Sequence, residues 1–335
     1  MKGLFNQQRG FGVEIEFLVP IRLFSASNGS LNTKLANIVA SHPTLRDQNI
    51  DCQAEAYNHA TRTYWKIVKD VSVTGNTTHT GRHEIVSPIL YGENGKKQLK
   101  AVLEVLRAQD CMVNTSCGIH VHHDVTELML AGRRIAKKFL KNLCLLVTKF
   151  EHVIYRLIPY SRQTTGYTYP TRYQVGRLMG SNPLSKRILK KNIVERVEKD
   201  VNYKYRRSTR LEGGNGYRSQ IQRGRYSGLN LQNIWTRGSV EFRYMQGSLN
   251  FSKIWSWVVL TQAVVNTAEK ANSVALTNIP TDGLFYFRKA IGFIGLSNRC
   301  ADTKFANKWT KIKWNKFSTN FRVTRSCQSI RQGLN

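Results

Sequence analysis

Acidic residues are scarce in this 335-residue chain: 21 Asp and Glu stand against 51 Lys and Arg, a formal net charge of +30 at pH 7. Long apolar runs are missing too. Even the stretch 255–265 is broken by Thr261 and Gln262, well short of the roughly 20 apolar residues of a membrane span. The first residues turn polar at Asn6-Gln7-Gln8-Arg9, so no signal-peptide core is read there and a cytoplasmic location is expected. The six cysteines (Cys52, Cys111, Cys117, Cys144, Cys300, Cys327) are scattered and form no Cys-x-x-Cys pair. In a long chain without a leader they are expected to be reduced, buried thiols rather than a disulfide framework. A Gly-x-x-x-x-Gly-Lys-Ser/Thr loop is also lacking, so a P-loop enzyme is not supported.

The composition that is present, 41% hydrophobic and 10% aromatic, can fill a sizeable core and excludes disordered and fibrous classes. The positive charge attracts any polyanion through long-range forces. Period-two patterning predicts strands at 12–19, around 64–68 and 71–73, at 84–90, 117–124, 226–231 and 239–244. Helical spacing predicts an amphipathic helix over 96–109, a long one over 133–157 with Ile135, Phe139, Leu143, Val147, Phe150 and Ile154 on one face, and a buried one over 254–271. Strands and helices mix without a βαβ rhythm, so the expected class is α+β with a largely antiparallel sheet.

Four of the predicted strands present ionisable groups. On a strand, residues i and i+2 share a face about 6.5–7 Å apart. Glu14 therefore joins Glu16, His120 joins His122, and Glu241 joins Arg243, each with apolar residues behind; Glu84 heads a fourth apolar strand. Two carboxylates at that spacing repel by roughly 2–3 kcal/mol at an effective dielectric near 20. Singly, each pattern is an ordinary solvated strand face. Together, in a chain so poor in acids, they point to hard divalent cations with oxygen ligands, and Mg²⁺ commonly takes nucleotide phosphates as further ligands. His120 suits a nitrogen ligand or a phosphate contact, and Arg243 can face a transferring phosphoryl group.

Gly-Val-Glu14-Ile-Glu16-Phe, His-Glu84-Ile-Val-Ser-Pro, Cys-Gly-Ile-His120-Val-His122 and Val-Glu241-Phe-Arg243-Tyr-Met-Gln246-Gly-Ser-Leu-Asn250 follow one another in the chain. This ordered set, with Arg225-Tyr-Ser-Gly-Leu-Asn230-Leu just before the last motif, resembles the amidoligase family, a branch of the glutamine synthetase-like carboxylate–amine ligases. The resemblance implies a glutamine synthetase-like fold, a curved antiparallel sheet with helices on its outer face. It implies a ligase that uses ATP and Mg²⁺ to convert a carboxylate to an acyl-phosphate, which an amine then attacks. By motif, Glu14, Glu16, Glu84 and Glu241 match metal-binding acids, His120 matches a metal or phosphate ligand, and Arg243 matches the arginine of phosphoryl transfer. Glu241, His120 and Arg243 are thus the expected catalytic groups. His122, Arg225, Asn230 and Gln246 fall in matching segments and are expected to contact nucleotide or substrate. Some relatives are virus-encoded, which would place such a chain in a host cytoplasm.

The expected domain plan is a catalytic domain over 1–275, carrying a basic insertion near 160–225, and a basic extension over 276–335. Residues 186–210 hold ten Lys/Arg and three acids, residues 213–216 read Gly-Gly-Asn-Gly, and residues 299–335 carry nine Lys/Arg interleaved with aromatics. The basic segments suit an acidic polymer, nucleic acid or a partner protein, and the glycines suit a closable loop. The substrates expected are amino acids, peptides or polyamines. Two alternatives stay open at this point. One is a cupin-like metal enzyme built on His120 and His122. The other is a non-catalytic nucleic-acid-binding protein.

Overall fold

The computed structural model describes residues 5–23, 30–163, 168, 171, 227–275, 283–294 and 301–318. Two compact units divide the chain. An amino-terminal unit comprises Asn6–His123 with Met245–Val258, and a carboxy-terminal unit holds Asp124–Tyr244, Val259–Asn335 and the first five residues.

The amino-terminal unit is built on five strands: β1 (Phe11–Pro20), β2 (Cys52–Ala54), β3 (Trp65–Lys69), β4 (His79–Val86) and β5 (Gly118–Asp124). Their order is β2-β3-β4-β1-β5. β2 and β3 run parallel, and the β3–β4, β4–β1 and β1–β5 pairs are antiparallel. Alternation sets the two faces. Val13, Ile15, Phe17, Ile67, Ile85, Ile119 and Val121 are all 1% exposed or less and share one side. Two helices serve that apolar side, α1 (Leu31–Ala40) and α2 (Gly92–Ala108). The Trp65 indole donates to Gln98 of α2 at 3.3 Å. Leu99, Val102, Leu103 and Leu106, the expected stripe of α2, are buried.

Two sequence expectations are corrected here. Residues 71–73 form a turn, not a strand, because Asp70 Oδ1 accepts from both the amide and the hydroxyl of Ser72, at 2.7 and 2.6 Å. This side-chain bond competes with any ladder. β4 begins at His79, so Glu84 lies well inside the strand rather than at its head. The polar run His79-Thr80-Gly81-Arg82 hides the strand start from a hydrophobic pattern.

The carboxy-terminal unit is mainly helical. α3 (Arg133–Arg156) buries Phe139, Leu143, Val147, Phe150 and Ile154 as its spacing predicts, whereas Ile135 in its first turn is 45% exposed. β6 (Leu229–Asn230) and β7 (Ser239–Gln246) pair antiparallel. Between them a short helix, Ile234–Arg237, ends on Gly238 at φ +66°, a left-handed position that glycine fills without strain. Gly228 is needed for closeness: a Cβ there would collide with the Tyr244 ring. The chain continues through α4 (Phe251–Lys270), whose start lies in the amino-terminal unit, then α5 (Gly283–Ala290) and α6 (Ala301–Ser318). Phe150 of α3 packs with its ring tilted against Phe287 of α5, centroids 5.2 Å apart.

The result is an α+β protein whose paired strands are mostly antiparallel. No helix among the described residues is long and apolar enough to cross a membrane. Cys52, Cys111, Cys117 and Cys144 are buried and form no disulfide among the described residues.

Candidate functional site

Strand register assembles the polar face of the amino-terminal unit. Glu16 lies opposite Glu84, and Glu14 lies opposite Val86 on one side and His120 on the other. Glu84 in turn faces Val68 on β3. Because paired residues point the same way, Glu14, Glu16, Glu84, His120 and His122 share the face that the helices leave to polar groups.

The contacts follow. His120 Nδ1 lies 3.0 Å from Glu14 Oε2, and its Nε2 lies 3.6 Å from Glu16 Oε1. His122 Nε2 lies 3.2 Å from Glu14 Oε1. The Gly118 amide donates to Glu16 Oε2 at 2.5 Å. Glu16, Glu84, His120 and His122 are all under 10% exposed. Burial raises the Glu14 pKa, but the His122 charge and the hydrogen bonds from both imidazoles outweigh it and hold the carboxyl well below its usual range.

Two ligand groupings result. Glu14, Glu84 and His120 offer donor atoms within 4.8 Å of one another, and so do Glu16, Asp70 and Glu84. Sequence reasoning missed Asp70. It extends the Val68 side of β3 by two residues, and Asp70 N bonds the Arg82 carbonyl at 3.1 Å, with Arg82 in the left-handed region at φ +70°. Its one sequence signal is an acid two residues after a strand's inward-facing Val68. That signal carries meaning only once the β3–β4 register is known.

In the carboxy-terminal unit, Glu241 is 2% exposed and accepts from Asn230, Asn233 and Arg243. Asn230 and Asn233 each donate to Oε2 at 2.8 Å, and Arg243 Nη1 to Oε1 at 2.5 Å. The pairing of Asn230 with Glu241 across β6–β7 explains why that asparagine sits in the motif. The backbone of Arg243 is held twice, its amide on the Gly228 carbonyl at 2.8 Å and its carbonyl by the Arg162 guanidinium at 3.2 Å. Behind it, the Tyr244 hydroxyl donates to Glu151 at 2.6 Å, and Glu151 also accepts the Thr171 amide at 2.8 Å. Gln246 is half-buried at the end of β7, and its Oε1 has no partner among the described residues. Arg225, the basic stretch 186–210 and the glycines at 213–216 lie outside the described residues.

Fold and side chains thus define an α+β protein with buried carboxylates and imidazoles gathered on one sheet face. The family profile described as "Putative amidoligase enzyme" matches residues 7–265, and the chain belongs to this family. Membership points to a ligase. No curated protein matches the chain.

Proposed function

We propose that this protein is an ATP- and Mg²⁺-dependent ligase that joins a carboxylate to an amine through an acyl-phosphate. The observation that carries the reading is the donor set of the amino-terminal unit, five acid and imidazole groups within two overlapping clusters. Oxygen-rich sets of this size, with a single nitrogen, fit hard divalent cations. Glu14, Glu84 and His120 would hold one ion, and Glu16, Asp70 and Glu84 a second. Bound ions supply charge neutralisation for a carboxylate approaching a triphosphate. The resemblance adds Glu241 as a further acid ligand and Arg243 as the guanidinium that stabilises the transferring phosphoryl group.

His122, on the Glu14 side of the face, is assigned to fixing that carboxylate and to phosphate contact. Asn230, Gln246 and Arg225 are assigned to nucleotide or substrate. A glutamine synthetase-like course of the sheet, a catalytic domain over 1–275 and amino-acid, peptide or polyamine substrates belong to the same proposal. Family membership and the clustered acids support it.

The test is ADP release with Mg²⁺ against a panel of amino acids, peptides and polyamines. A ligase gives release that depends on one acid–amine pair and vanishes in Glu241→Gln. A cupin-like enzyme would keep its metal and activity in Glu14→Gln. ADP release that is absent with every pair would overturn the ligase reading.

A further inference from the structure

The α5–α6 region of the carboxy-terminal unit carries a surface that the ligase reading does not use. Burial along α6 follows a helical period. Asp302, Ala306, Trp309, Thr310 and Lys313 face inward, and Lys304, Phe305, Lys308, Lys311 and Ile312 face out. Between residues 283 and 318 the sequence has eight Lys/Arg and one acid, Asp302, which is buried. The outer face therefore has no negative charge of its own. Lys304, Lys308 and Lys311 have no ion-pair partner among the described residues.

Large rings are exposed on the same two helices. Phe305 is 42% exposed on α6, and Phe285 and Tyr286 are 41% and 39% exposed on α5. The two helices are fastened together, since Arg288 donates to Asn307 at 2.5 Å and Asn307 donates to the Phe293 carbonyl at 3.1 Å. Phe285 lies one turn from Arg288, and Lys304 and Lys311 lie one turn on either side of Asn307. Residues three or four apart on a helix are neighbours, so the Phe285 ring and the Lys304 and Lys311 ammonium groups border one junction.

Exposed rings that touch one another, as Phe285 and Tyr286 do at 5.4 Å, mark an interaction surface where single exposed residues do not. Lysines alone suit any polyanion. Unpaired bases are the anionic partner that also uses ring faces, because each base can stack on an aromatic side chain while its phosphate meets a cation. A duplex hides its bases within the stack, and a membrane surface would favour an apolar face flanked by lysines over rings set among them. We propose that the α5–α6 surface binds single-stranded nucleic acid, with Phe285, Tyr286 and Phe305 as stacking platforms and Lys304, Lys308 and Lys311 on the phosphates.

The test measures binding of a fluorescein-labelled oligothymidylate to the full chain over a salt series, without ATP. Lys304→Ser with Lys308→Ser and Lys311→Ser is expected to reduce the slope of log K against log salt by about 2, at roughly 0.7 per lost phosphate contact. Phe285→Ala with Tyr286→Ala and Phe305→Ala is expected to weaken binding about tenfold or more at every salt concentration without changing the slope. That variant is expected to bind inorganic polyphosphate as tightly as the parent. Should the alanines disturb folding, leucines at the same positions keep the bulk, remove the ring faces and give the same loss. An unchanged slope in the lysine variant, or equal loss on polyphosphate in the ring variant, overturns the proposal. Phosphatidylserine vesicles that displace the oligonucleotide and lose their own binding in the ring variant would assign the surface to membranes and overturn it as well.

Discussion

Replacing Glu84 with glutamine is expected to stabilise the metal-free protein and to abolish its stabilisation by Mg²⁺. Glu84 is 5% exposed, and it shares the 4.8 Å groupings with Glu14, Glu16 and Asp70. One pair of unit charges at that separation repels by about 3.5 kcal/mol at an effective dielectric of about 20. The imidazole of His120 relieves part of this, leaving a gain of about 2 kcal/mol for removing the Glu84 charge. For a unit of this size that corresponds to a rise in Tm of about 7 °C. In the parent protein, Mg²⁺ at about 100 times its Kd would add about 2.7 kcal/mol, and Glu84→Gln would lose this. Differential scanning fluorimetry with EDTA and then with a Mg²⁺ series reads both effects. A variant that melts lower than the parent in EDTA, yet keeps its Mg²⁺-dependent rise, would refute the idea that these acids form a charge-strained cation site.

Tyr244→Phe removes the hydroxyl that donates to the buried Glu151 carboxylate, and a loss of about 2 kcal/mol in urea unfolding is expected; an unchanged midpoint would show that this bond contributes nothing. In the β2–β3 loop, the Arg62 guanidinium holds the Glu55 carboxyl down at about 2 against the cost of burial, with Tyr64 and Asn58 adding hydrogen bonds. A depressed carboxyl stabilises fully above its ordinary value and loses that stabilisation as pH falls toward 2. Amide exchange in residues 55–64 should therefore quicken over that acid range in the parent and show no such step in Glu55→Gln. Arg243→Ala is expected to lower ADP release by about 100-fold or more while changing Mg²⁺ affinity only a few-fold; equal losses in both assays would remove Arg243 from phosphoryl transfer.

Period-two alternation in the sequence already paired Glu14 with Glu16, His120 with His122 and Glu241 with Arg243, because the side-chain direction along a strand is a local property. Helical spacing likewise located α2, α3 and α4 within a few residues, since an apolar stripe must face a core. The amidoligase motifs were legible for the same reason, each being a short strand with its ionisable side showing. Strand partnership was not local. That Glu16 lies across from Glu84 and Glu14 across from His120 depends on hydrogen-bonded registers between positions 68 and 106 residues apart along β1, β4 and β5, and Asp70 reaches the Glu84 cluster only through the β3–β4 register. Residues 71–73 carry strand-forming side chains, yet the Asp70 carboxylate captures Ser72 and bends them into a turn. The sequence thus determined which side chains share a strand face, whereas only the folded registers decided which acids meet, because cross-strand neighbours are chosen by the packing of the whole apolar face.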